Sequence, residues 1–427
     1  MAFDRGTVSF VRLRVEGESP IVVDAALLEK LGEHRFRESD IGTPDEVEAG
    51  FITGEHIYDV DFSYEKNGFG DRLLWAMRLD THKAPADVMR AYRRMNEQAA
   101  RDASPTGQAS RRELREAKEL AERQVREDRA SGRFRKSKAV PLLWDFKRKE
   151  LLIGSATQTA IEHASLLVAE TFDVKLSVIS AGVRAGEVLR GQGKGRDYED
   201  LQPSKFTGPP AMPARDRDAD DEGFAGGGDL SVPLVPWVAK AVDLKDFLGN
   251  EWLMWLWRHA ETSDDPIETG GNVGPVHVFV DRALDMECAW DAGGKQTLRG
   301  DGPGRLAEAT AALRTGKWPR KAGLVLSDGE SQWSLTLQAD KLQVSACTLP
   351  EIDDAQSPRE VVDLRLNQIR RLVQLLDGCF EAFIAERTSG RWPTARTDIT
   401  KWIKARGGQA PTPASATATS PEPASVA

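Results

Sequence analysis

The sequence predicts an α+β fold, with several small mixed or antiparallel sheets, packed helices and one protruding charged helix. Three observations carry this. Short runs such as residues 7–15 (TVSFVRLRV) alternate apolar and polar side chains, the period of a half-buried strand. Helical runs between them begin at capping residues. One long run from Arg111, RRELREAKELAERQVREDRA, has only Leu114, Leu120 and Val125 as larger apolar residues, so it faces solvent or a charged ligand rather than a core.

Taken in order, residues 24–31 form a short helix closed by Gly32, and residues 57–62 and 73–79 form strands. Pro85 opens a helix to about residue 100, with Val88, Met89, Tyr92 and Met95 on one face. Ser110 and Glu113 form a capping box for the charged helix. A β-β-α-β unit follows: strands at 140–146 and 151–153, a helix capped by Ser155 and Gln158, and a strand at 174–179. Residues 182–228 are rich in Gly, Pro and Asp and read as an insertion or linker. The second half holds the Trp-rich segment FLGNEWLMWLW, a hairpin (277–280 with 286–290), a helix at 305–313 and strands at 324–326, 333–337 and 342–347. Ser357, Pro358 and Glu360 start a last long helix. Its apolar residues Val362, Leu366, Ile369, Val373, Leu376, Phe380 and Phe383 step 4-3-4-3-4-3. They suit packing on the adjacent sheet or, as the alternative, a coiled-coil seam. The organisation is then 1–105, an N-terminal α+β domain; 106–181, the charged helix and β-β-α-β unit; 182–231, the linker; 232–406, a C-terminal α+β domain; and 407–427, an Ala/Pro/Ser/Thr tail expected to be disordered.

The 427 residues carry a formal net charge of -9, so a uniformly basic coat is excluded. Charge is nevertheless segregated. Residues 33–65 carry ten acids against two bases; residues 133–149 carry seven bases against Asp145 alone. That asymmetry suits a polyanion partner. The opening MAFDRGTVSF lacks an apolar signal-peptide core, and Cys288, Cys347 and Cys379 lie too far apart for a C-x-x-C pair, so a reducing cytoplasm is expected and no membrane partner.

Catalytic signatures are missing. Gly316-Lys317 and Gly193-Lys194 lack the other residues of a phosphate-binding loop. His34, His56, His82, His163, His259 and His277 show no metal-ligand spacing. Asp216, Asp218 and Asp220 begin like a calcium loop, but Asp221 and Gly227 stand where glycine and glutamate are needed. The expectation is a non-enzyme with no cofactor, no catalytic residue and no metal.

The candidate binding residues are the bases. Arg111, Arg112, Arg115, Lys118, Arg123, Arg126 and Arg129 lie on the charged helix among Glu113, Glu116, Glu119, Glu122, Glu127 and Asp128, so they are expected to be largely self-paired. Arg133, Arg135, Lys136 and Lys138 come without compensating acids, Lys147, Arg148 and Lys149 follow on a turn, and these two runs are where unpaired charge is expected. Positive charge at backbone spacing gives affinity for phosphates without base readout.

Together, GTVSFVRLRV, RLLWAMRLDTHKAPADVMRAY, the charged helix, FRKSKAVPLLWDFKRKELLIGSATQTAIEHASLLVAETFDVKL, FLGNEWLMWLW and TGKWPRKAGLVLSDGESQWSLTLQADKLQVSACTLP resemble, in order and pattern, the recombination-associated RdgC family. The resemblance spans most of the chain except 182–228 and the tail. Better-known members are shorter, lack the insertion, and carry a Leu-Pro-Arg-Ala-Phe-like motif where this chain has Lys138, Ala139, Val140 and Pro141. The resemblance implies a nucleoid-associated homodimer that closes as a ring around double-stranded DNA, binds without sequence preference and restrains a recombinase. The alternatives are a metal-dependent exonuclease and a protein-interaction scaffold.

Overall fold

A computed structural model describes residues 3–38, 47–210, 232–271, 273–290, 294–353 and 355–406. The calcium-like aspartates Asp216, Asp218 and Asp220 and the tail from residue 407 lie outside the described residues.

The class is α+β, as the sequence predicts. The first half contributes strands β1 (Val8–Glu16), β2 (Val47–Ile52), β3 (Arg72–Thr81), β4 (Lys136–Asp145), β5 (Glu150–Ile153) and β6 (Lys175–Val178). The second half contributes β7 (His277–Cys288), β8 (Lys295–Gly300), β9 (Lys317–Ser327), β10 (Gln332–Gln338) and β11 (Gln343–Thr348). They are joined in one path, β2-β3-β4-β5-β1-β11-β10-β9-β7-β8, with β6 also paired to β1. Each of these strand pairings is antiparallel. The link between halves is β1, whose start pairs with β11 and whose remainder pairs with β5 and β6.

Strand alternation sorts side chains into two cores. On β1, Val11, Leu13 and Val15 face one core, closed by helices α1 (Ala25–Glu33) and α5 (Gln158–Phe172). Phe10 and, beyond it, Arg12 face the other side. There the long helix α10 (Pro358–Arg387), helix α6 (Ala181–Gly191) and the Trp-rich helix α8 (Phe247–Thr262) pack. Every residue of α8 from Phe247 to Trp257 is buried, as expected of a helix apolar on most of its circumference.

The apolar stripe of α10 is spent inside its own chain. Leu366, Ile369, Val373, Leu376, Phe380 and Phe383 are all buried, so the coiled-coil alternative is excluded and sheet packing holds. Ser357 accepts a hydrogen bond from the Glu360 amide, with proline at the first turn, as its sequence requires.

Four local expectations are corrected. Residues 57–62 form no strand. Asp59 instead folds a turn by accepting from Thr53 Oγ1 at 2.6 Å, Lys66 Nζ at 2.8 Å and the Asp61 amide, and such local bonds compete with a ladder. The strand lies earlier, at β2. The hairpin within 277–290 is one continuous strand, because Arg282 adopts a positive φ of 63° and the chain bulges between Val280 and Leu284 without reversing. The partner is β8. The Ser155–Gln158 box is not formed; Thr157 precedes α5 without a side-chain cap, and Ser155 Oγ accepts from the Thr157 amide. Finally, residues 182–210 are no linker. They form α6 and α7 (Gly195–Glu199) and bury Leu189, Tyr198, Leu201 and Phe206 in the larger core. Gly182 is there for close approach: a Cβ would lie 2.6 Å from Asp243 Oδ1. Helix α11 (Trp392–Ala405) completes that core through Trp392, Ile399 and Ile403.

A buried ion cluster ties the layers. Arg12, 1 % exposed, donates to both oxygens of Glu150 on β5 and, at 2.7 and 2.9 Å, to both oxygens of Asp377 on α10. Burial alone would raise the Asp377 carboxyl; Arg12, with Arg184 and Arg148, outweighs it and holds that group well below the usual carboxylate range. Arg12→Met therefore leaves two buried carboxylates short of their partner and should cost roughly 3–5 kcal/mol in urea unfolding. Because the folded-state pKa of Asp377 is depressed, its contribution is present above the unfolded carboxyl value of about 4 and is lost as pH falls below it. Melts between neutral and acid pH should show this loss in the native chain, and Asp377→Asn should flatten it.

Candidate nucleic-acid interface

Strands β3 and β4 pair along their full length, from Arg72↔Asp145 to Thr81↔Lys136. The chain between their ends is a two-helix arm: α3 (Ala86–Ala103) and α4 (Arg111–Ala130). These helices pack mainly on each other. No residue of α3 is buried, and α4 buries only Ala117, Ala121 and Val125. The charged helix thus stands away from both cores, as its composition predicts.

Its start is set by the expected box. Ser110 Oγ accepts from the Glu113 amide at 3.3 Å, and Glu113 Oε2 accepts from the Ser110 amide at 2.7 Å. Small alanines in the seam let α3 approach, and Asn96 Nδ2 donates across it to the Ala117 carbonyl and Gln124 Oε1. At the base, Tyr92 Oη donates to Asp128, and Arg133 donates to the same carboxylate at 2.9 Å and to Tyr92 Oη at 3.0 Å.

The expected binding residues separate into three groups. Arg112, Arg115 and Lys118 are exposed and pair with Glu116, Glu119 and Glu122 one turn on, as the sequence predicts for this helix. Such pairs contribute only about 0.3–0.5 kcal/mol each, so a phosphate can displace them. Arg111, Arg123 and Arg126 are exposed and, among the described residues, make no ion pair. Arg129 is half-buried near the arm's base.

The second group corrects the expectation of unpaired charge after residue 132. Arg133 is held by Asp128. Arg135 donates to fully buried Asp80 at 2.7 Å and to Glu38 at 2.5 Å. Arg148 donates to Glu150 at 3.1 Å and to Asp377 at 2.5 Å. Asp80 and Asp377 are 55 and 229 residues distant in sequence, so local charge counting does not find them, whereas Glu150 stands two residues from Arg148. The third group does project as expected. Lys136, Lys138 and Lys147 are exposed with no ion pair among the described residues; exposed Lys149 donates to the Gly17 carbonyl at 3.4 Å.

One set of exposed bases escapes the sequence reading. Helix α3 carries Arg90, Arg93, Arg94 and Arg101, all exposed. Arg90 pairs with Asp87 and Arg93 with Glu97, whereas Arg94 and Arg101 have no partner among the described residues. The signal was the spacing in RAYRRMNEQAAR, hidden by the apolar face used to recognise the helix.

Elsewhere, arginines are already committed. A groove of about 650 Å³ beside Phe69 and Ser357 is lined by Arg72, Arg359 and Arg370. Arg72 donates to Asp363 and Asn367, Arg370 to Asp71 and Asp145, and Arg359 to the carbonyls of Tyr64, Glu65 and Gly68. Among the described residues, no group of three His, Cys, Asp or Glu side chains is placed to hold a metal ion, and no helix is long and apolar enough to cross a membrane.

Arg135→Ala should therefore destabilise the fold, since it strips a buried carboxylate of one of its two arginines; a loss of about 1–3 kcal/mol is expected in thermal or urea melts. Lys138→Ala, at an exposed position, should stay within about 0.5 kcal/mol of the parent. Comparison with known proteins gives no relative to set beside this site: no protein-family model matches the chain, and no curated protein matches it.

Proposed function

We propose that this protein binds double-stranded DNA through the sugar–phosphate backbone, without reading sequence, and that the arm is its binding surface. One observation carries the reading. At about 100° per residue, the seven bases of α4 fall within an arc of roughly 140° on the helix. Only Glu119 and Glu122 share that arc; Glu113, Glu116, Glu127 and Asp128 lie outside it. The chain is acidic overall, so a basic stripe on a helix that packs mainly on its neighbour serves a polyanion better than it serves the fold. Lys136 and Lys138 extend it at the start of β4.

The stripe supplies charge at backbone spacing, and no zinc finger or aromatic stacking platform accompanies it in the sequence. Charge of that kind gives affinity by counterion release. The RdgC-like order of segments adds the remaining parts of the proposal: a nucleoid-associated homodimer that closes around duplex DNA, acts in recombination by limiting recombinase access, and carries out no catalysis itself.

The test is duplex affinity against salt. Replacing Arg111, Arg123, Arg126 and Lys138 together with Ala should weaken binding on unrelated sequences alike. It should also make the slope of log affinity on log salt shallower by about 3–4, since each phosphate that is no longer neutralised removes about 0.9. An unchanged slope in a folded variant rejects the arm as the binding surface.

A further inference from the structure

We infer that the binding surface is two-rowed, with the arginines of α3 forming a second row beside that of α4, so that the arm straddles a groove and grips both strands of a duplex. This deepens the nucleic-acid reading above and rests on it. The inward direction of each helix is fixed by its seam: Ala117, Ala121 and Val125 on α4; Tyr92, Asn96 and Ala100 on α3. The cross-bonds Tyr92 to Asp128 and Asn96 to Gln124 make the helices antiparallel, with the end of α4 beside the first half of α3.

Both helices are right-handed. In an antiparallel pair, turning in the same sequence sense from each seam therefore leads to the same side of the hairpin. On α4 that turn, between about 60° and 140° from the seam, meets Lys118, Arg111, Arg115 and Arg126, with Glu122 among them. On α3 the same turn, between about 60° and 160°, meets Arg93, Arg90, Arg101 and Arg94, with Glu97 among them. The other side of the hairpin carries Asp102, Glu113 and Glu127, with Met95 and Leu120 exposed. On both helices bases thus outnumber acids on one side of the arm, and acids predominate on the other.

Two rows of long side chains on axes about 8–10 Å apart and splayed outward are commensurate with a duplex groove, the major one being about 12 Å wide. A single strand offers one line of phosphates and would engage one row. The two α3 arginines that are paired sit in exposed one-turn pairs, which phosphates can replace.

The experiment compares the full chain with an α3 variant, Arg90, Arg93, Arg94 and Arg101 all changed to Ala. Each is titrated with a short duplex and with a single strand of the same length, across salt. Alanine favours the helix, and a circular dichroism melt confirms that the variant is folded. The expected result is at least a roughly tenfold loss on duplex, a duplex salt slope shallower by about 3, and less than about a twofold change on the single strand. Unchanged duplex binding overturns the second row, as do equal losses on both ligands. If the variant at Arg111, Arg123, Arg126 and Lys138 weakens duplex binding and the α3 variant does not, only this inference falls. If the parent chain binds no duplex at low salt, both readings fall.

Discussion

Arg12 is the residue on which the architecture turns. It lies on β1, the strand that links the two halves of the sheet, and it is almost wholly buried. Its guanidinium bridges Glu150 on the neighbouring strand and Asp377 on the helix above. Arg148 joins the same two acids, Arg14 joins Glu150 and Glu187, and Arg184 joins Glu187 and Glu381. Four arginines thus meet four carboxylates, and the cluster is neutral. Well-packed apolar residues could match its stability. What they would not supply is direction: bidentate guanidinium–carboxylate bonds fix the height of α10 on the sheet, where an apolar stripe tolerates sliding.

That constraint explains how the chain distributes its positive charge. Arg12, Arg72, Arg148 and Arg370 orient α10 against the sheet. Arg78 and Arg135 close the far end of β3 and β4 around Asp80, with Arg78 stacked 4.1 Å from the Phe36 ring. These bases are committed to the fold. The arm differs in kind. It hangs from the ends of two fully paired strands, buries little, and leaves its bases exposed or in weak one-turn pairs. A rigid sheet presenting a charged lever suits a ligand bound by shape and charge.

Much of the fold was legible because its signals are local. The box at Ser110 and Glu113, the proline start of α10 and the alternation of β1 each follow from neighbouring residues. The misreadings have different causes. Gly182 looks like a linker residue until Asp243 is known to pack on α6, whereas the turn at Asp59 is set by local bonds to Thr53, Asp61 and Lys66 that outcompete a strand. The bulge at Arg282 replaces a hairpin whose true partner lies beyond Trp290. At the site the same limit applied in reverse. Arg135 looked free because Asp80 is remote in sequence, and Arg148 because Asp377 is remote, although Glu150 stands beside it, while the bases of α4 were expected to be largely self-paired although those pairs are exposed and weak.

The central claim is that the sheet is scaffold and the arm is the binding surface. The most direct measurement replaces residues 84–133 with a tight Asn-Gly turn joining β3 to β4, then records both thermal stability and duplex affinity at low salt. The register of β3 and β4 runs to Thr81↔Lys136, so the body should fold with a transition close to the parent's, and duplex binding should disappear. A folded, armless protein that still binds duplex with the parent's salt dependence would contradict the account.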